Sequence, residues 1–137
     1  MAIIVGPTSW QYYQYNPQPG CPYEGGYFIC QSGGVRWIVA PASTQVFRSW
    51  YCRNDAVTLA EAAAACGDWF IPNSSQLQNP GWVCRNNWDS YHWGYYWSDT
   101  QLNTNCARSV FFPHGSLDYQ QKTDTGLAVR ALRCVTY

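Results

Sequence analysis

Between Trp82 and Trp97 the chain carries four of its eight tryptophans, together with Tyr91, His92, Tyr95 and Tyr96. Flat rings of this kind stack on the C–H faces of sugars, and nearby Asn and Asp side chains can take hydroxyl hydrogen bonds. Asp89 and His92 form an acid–base couple by type. At that spacing in a loop, such a couple more often hydrogen-bonds locally than transfers protons. Asn86, Asn87, Asp89, Ser90 and Gly94 are loop formers. The rings therefore sit in turns, where they either pack the loop or meet a partner. The candidate contact residues are Trp82, Trp88, Asp89, Tyr91, His92, Trp93 and Tyr95.

Thiols are the second reactive group. There are seven, at Cys21, Cys30, Cys52, Cys66, Cys84, Cys106 and Cys134. None forms a Cys-x-x-Cys pair, and His92 and His114 are not at ligand spacing, so no zinc is expected. Nor does the sequence imply another metal or cofactor. An oxidised framework with one thiol left over is the better reading, and spacing alone leaves its connectivity open.

Composition narrows the partners. Formal net charge is zero, and the single lysine, Lys122, stands among seven arginines that form no basic stripe, so nucleic acid is not an expected partner. Only 12% of residues are charged. A free monomer needs more surface charge than that, whereas a subunit covered by neighbours does not. No stretch approaches the roughly 20 apolar residues of a membrane span. Met1 to Val5 has no positive region before it and stops at Gly6-Pro7, which does not read as an export signal. Many cysteines without a leader fit a virion protein, made in the host cytoplasm and released by lysis.

A length of 137 residues suits one domain with its own core. Residues 1–26, rich in Pro, Gly, Gln and Tyr, read as an extended anchoring arm, and 27–137 as the domain. Tyr27 to Cys30 and Val35 to Ala40, flanking Gln31-Ser32-Gly33-Gly34, predict a hairpin. Asn54 or Asp55 caps the one main helix, which runs through alanines to Cys66 and stops at Gly67. A short helical turn follows Asn73-Ser74-Ser75, ended by Pro80-Gly81. Strands are expected at Tyr95–Ser98, Ala107–Phe112 and Ala128–Val135. Hairpin, helix, long loops and a terminal antiparallel strand meander make an α+β domain.

From about residue 50 onward the chain resembles the bacterial and phage branch of the C-type-lectin-like fold. There, a helix ending near a cysteine leads into Gly-x-Trp-Arg-Leu-Pro-Thr and then Glu-Leu. Gly67, Trp69, Ile71, Pro72 and Leu77 match, while Phe70 replaces the Arg and Gln76 the Glu. Tyr96-Trp97-Ser98-Asp99-Thr100 resembles Tyr-Trp-Ser-Ser-Thr. Ala107, Val110, Phe112 and Gly115 resemble Ala-x-x-Val-x-Phe-x-x-Gly, and Val129 to Val135 resembles a closing Val-Arg-Cys-Val with extra residues. The resemblance implies that Trp69 and Trp97 are core and that the chain from Trp82 to Tyr95 is a variable loop region. It also implies disulfides Cys66–Cys134, Cys84–Cys106 and Cys21–Cys30, leaving Cys52 free.

Calcium-dependent sugar binding in this fold uses Glu-Pro-Asn or Gln-Pro-Asp with Trp-Asn-Asp. Here Ile71-Pro72-Asn73 belongs to the structural motif and no Trp-Asn-Asp occurs, so calcium is not expected. The formylglycine-generating enzymes share the fold, but they are longer and use a late cysteine pair that Cys134 alone does not supply. The expectation is a non-enzymatic bacteriophage structural protein, displayed as a tail or fibre adhesin or as capsid decoration. Its arm would hold other virion proteins, and its loops would face a host glycan or receptor. The alternative is a free bacterial lectin-like carbohydrate-binding module.

Overall fold

Residues 27–40 are rich in aromatic and β-branched side chains around a Gly33-Gly34 pair that can take left-handed backbone, the requirement of a tight hairpin. A computed structural model describes residues 16–64 and 67–137 and shows this hairpin. After β1 (Pro22–Tyr23), β2 (Gly26–Ser32) pairs antiparallel with β3 (Val35–Val39), with Gly33 and Gly34 at φ 59 and 80. A register shift between Phe28 and Cys30 lets Phe28 and Ile29 both be buried, which strict alternation forbids.

The composition of residues 1–26 suggests an arm, but its last part belongs to the domain. Gly20 N–H donates to the Phe28 carbonyl at 2.8 Å, β1 pairs with β2, and the Glu24 carboxylate meets Arg133 at 3.2 Å. Paired backbone groups hold this segment, together with the Tyr23 ring, which packs edge-on to Phe28 and against the core around Ile38 and Trp69. Residues 1–15 of the expected arm lie outside the described residues.

α1 (Asp55–Ala64) forms because alanine loses the least on entering a helix and Asp55 places negative charge at its amino end. Ala56 and Ala60 are its fully buried positions. Ala56 packs with Val46, Trp50 and Trp97, and Ala60 with Ile38, Trp69 and Ala131. The expected end at Cys66 falls outside the described residues. A single turn, α2 (Ser74–Gln76), opens with a reciprocal cap: Gln76 N–H donates to Asn73 Oδ1 at 2.9 Å, and Asn73 N–H to Gln76 Oε1 at 3.0 Å. Gln76 thus does the capping work that a Glu does in the same place. The chain then coils irregularly through Leu77–Trp82.

The remaining strands are β4 (Val46–Phe47), β5 (Tyr95–Gln101), β6 (Cys106–Phe111), β7 (Ser116–Gln121), β8 (Ala128–Val129) and β9 (Leu132–Thr136). One sheet has the order β1-β2-β3-β9, the other β4-β8-β5-β6-β7. The strand expected from Ala128 to Val135 is therefore two strands in different sheets, divided at Arg130-Ala131. β7, Ser-Leu-Asp-Tyr-Gln-Gln, is an edge strand whose apolar residues, Leu117 and Tyr119, share one face and are both exposed, while Asp118 and Gln120 on the other face are half-buried.

The fold is α+β, with core on both faces of the larger sheet. Tyr96 packs with Ile29, Leu77, Trp88, Val110 and Leu132 on one side, and Trp97 with Val46, Ala107 and Val129 on the other. Among the described residues no helix is long and apolar enough to cross a membrane.

Candidate functional site

The ring-rich segment is hung from Arg130. Where the terminal chain crosses between sheets, Arg130 turns inward and its side chain is 1% exposed. Its Nε donates to the Ala40 carbonyl at 2.8 Å, Nη1 to the Ser90 carbonyl and Nη2 to Asp89 Oδ1. The other Asp89 oxygen accepts from Ala42 N–H at 2.8 Å. A buried guanidinium needs such partners, since an unpaired charge in the interior is strongly destabilising. The guanidinium also lies 5.0 Å from the centre of the Trp88 ring.

A second tie comes from β5. Tyr96 is buried, and its hydroxyl donates to Gln45 Oε1 at 2.5 Å while accepting from His92 N–H at 2.8 Å. Burial pushes this phenol up to about 12, against the His92 N–H and the Arg130 charge, which pull it down. Tyr96 therefore stays protonated and can serve as both donor and acceptor. His92 itself is held below the ordinary imidazole range by burial, which favours its neutral form.

The seven candidate contact residues divide on this scaffold. Trp88 is buried, edge-on to Tyr96 at 5.6 Å and tilted on Phe112 at 5.2 Å, so it is core and not surface. Both Asp89 oxygens are engaged within the chain, so this carboxylate ties the loop to the core. Trp82 is a clamp: its Nε1 donates to the Phe112 carbonyl at 2.7 Å, and Arg85 stacks over its ring at 4.0 Å. Tyr95 points to the opposite face of β5 from Tyr96 and packs on Phe111 at 4.6 Å.

Tyr91, His92 and Trp93 remain, and they form a ridge. Trp93 is 63% exposed, the most exposed large apolar side chain among the described residues. Tyr91 supports it at 5.8 Å between ring centres, with Phe112 behind Tyr91 at 5.8 Å. His92 packs edge-on to Phe47 at 4.9 Å, and Phe47 is itself 44% exposed. Phe47 was not legible as a site residue, because the dipeptide Val46-Phe47 reads as a short apolar pair with nothing to mark its outward side. Arg130 was equally hidden: in an alternating strand it belongs on the solvent face.

The ridge presents ring faces and an imidazole that burial holds toward its neutral form, suited to stacking and hydrogen bonding. Among the described residues no group of three or more His, Cys, Asp or Glu could hold a metal ion. None of the six described cysteines is bridged; Cys66 lies outside the described residues, so the expected Cys66–Cys134 pairing does too. Cys84 meets Cys30 thiol to thiol, not the expected Cys106. Compared with known proteins, the sequence matches no family model and no curated protein.

Proposed function

We propose that this chain is a non-enzymatic bacteriophage virion protein of C-type-lectin-like fold, displayed as a tail or fibre adhesin or as capsid decoration. In this reading it meets a host-surface glycan or receptor through the ridge of Phe47, Tyr91, His92 and Trp93. The observation that carries the reading is the exposure of Trp93 on a loop tied from beneath by Arg130 and Tyr96. An exposed ring held in place binds with little loss of entropy, which is how aromatic contact surfaces gain affinity. The arm before β1 is the proposed contact to other virion proteins.

Several features support the finer fold. The motif residues Trp69, Ile71, Leu77, Trp97, Val110, Phe112 and Val129 are all buried. The amino-terminal hairpin and the last strand share one sheet, through β3 and β9. The long loops emerge from the other.

Mass spectrometry of purified phage particles, with antibody labelling of this chain on intact particles, tests the placement. Label on tails or capsids is the expected result. A chain found only in the particle-free lysate overturns the virion reading, and glycan binding by that free chain favours the lectin-like module instead.

A further inference from the structure

Two half-buried thiols, Cys30 and Cys84, are not used by the proposed contact surface. The bulge in β2 sets Cys30 beside the loop after Trp82, where Cys30 and Cys84 line one cleft and interact thiol to thiol. The same two segments are joined next to this contact by Asn87 Nδ2, which donates to the Ile29 carbonyl at 2.9 Å. Both thiols are half-buried and line a cleft of about 420 Å³ together with Pro17, Pro19, Gln31 and Asn87. That volume lies in the range of small-molecule sites.

We propose that Cys30 and Cys84 are a redox-active dithiol, converted to an intramolecular disulfide by a small disulfide such as oxidised glutathione entering this cleft. The two thiols are not equivalent. Their hydrogen bond draws Cys84 down to about 7 against the opposing effect of burial, and pushes Cys30 well above the ordinary thiol range. Cys84 is therefore the attacking thiolate and Cys30 the donor that stabilises it.

In the first step the Cys84 thiolate attacks one glutathione sulfur. The glutathione S–S bond breaks, one glutathione leaves as thiolate and takes a proton from water, and a mixed disulfide remains on Cys84. In the second step Cys30 gives its proton to solvent and its thiolate attacks the Cys84 sulfur, expelling the second glutathione. Two protein thiols are oxidised and one glutathione disulfide is reduced to two thiols. The product ties β2 in the smaller sheet to the loop that leads into the ridge.

The test uses the full wild-type chain, incubated with oxidised glutathione, blocked with an alkylating agent and digested with trypsin and chymotrypsin. These proteases cut between Cys21 and Cys30 and between Cys66 and Cys84, so each possible pair gives its own peptides. A Cys30–Cys84 cross-linked peptide is expected, lighter by two hydrogens, with loss of alkylation at both residues. In Cys30→Ser the mixed glutathione disulfide should accumulate on Cys84. Cross-links of Cys84 to Cys106, or of Cys30 to Cys21, overturn the proposal. So does full alkylation of Cys30 and Cys84 after oxidation.

Discussion

Asp89 and Arg130 lie 41 positions apart in the chain and form an ion pair at the point where the terminal segment passes from one sheet to the other. This contact fixes the ring-rich loop to the core, with Arg130 side-chain burial nearly complete and Asp89 reaching in from the surface at 20% exposure. Removing only one partner leaves a buried charge uncompensated. Asp89→Ala should therefore destabilise the protein by about 3 kcal/mol. Urea unfolding of Asp89→Ala, Arg130→Met and the double variant checks this, with the double variant less destabilised than the sum of the two singles.

The Tyr96 hydroxyl bonds to the loop backbone at His92 and to Gln45. Tyr96→Phe keeps the ring packing but leaves the His92 N–H and the Gln45 amide oxygen without that partner. The expected cost is about 1–2 kcal/mol. Faster hydrogen exchange at the His92 amide is the local readout, which a purely global loss of packing does not single out.

Gly115 and Trp82 form a tight fit. Gly115 has φ +72, and a Cβ there would lie 2.3 Å from the Trp82 ring, which is itself held by Phe112 and Arg85. Gly115→Ala should destabilise by about 1–3 kcal/mol, from overpacking joined to an unfavourable backbone conformation. Thermal unfolding monitored by tryptophan fluorescence measures it.

Cys84 reactivity should follow its ionisation. Only the thiolate alkylates, so the rate with iodoacetamide should rise with pH through a midpoint of about 7, below the ordinary 9.0. Cys30→Ala removes the hydrogen-bond donor, and the midpoint should move up toward the ordinary thiol range.

The α+β class, the hairpin and the alanine helix were legible because each has a local cause, whereas the burial of Trp69 and Trp97 was expected from the resemblance alone. Aromatic and β-branched runs on either side of a Gly-Gly turn mark the hairpin, and propensity with a capping carboxylate marks α1. What escaped the sequence depends on long-range contacts. Arg130 looks like a surface residue until the break between β8 and β9 turns it inward. Trp88 and Trp93 have the same side chain and the same loop neighbours, yet one is core and the other exposed. That difference is set by Phe112 and Tyr96 from distant strands. β7 is an edge strand with only two apolar residues, Leu117 and Tyr119, and the brief alternation they make is too short to stand out. The cysteines show the same limit, since the bulge at Ile29 decides which thiol Cys30 meets.

The proposed function turns on Trp93 meeting a partner from its exposed position. The direct measurement is binding of the purified chain to an array of bacterial surface polysaccharides, comparing wild type with Trp93→Ala and Phe47→Ala. The loss of one ring stack, about 1–1.5 kcal/mol, lowers affinity roughly tenfold. Because Trp93 is 63% exposed, its removal should leave the thermal midpoint nearly unchanged. Binding by the wild type to at least one polysaccharide is expected, weakened about tenfold in folded Trp93→Ala. Wild-type binding to none of them, or equal binding by Trp93→Ala, contradicts the proposed function.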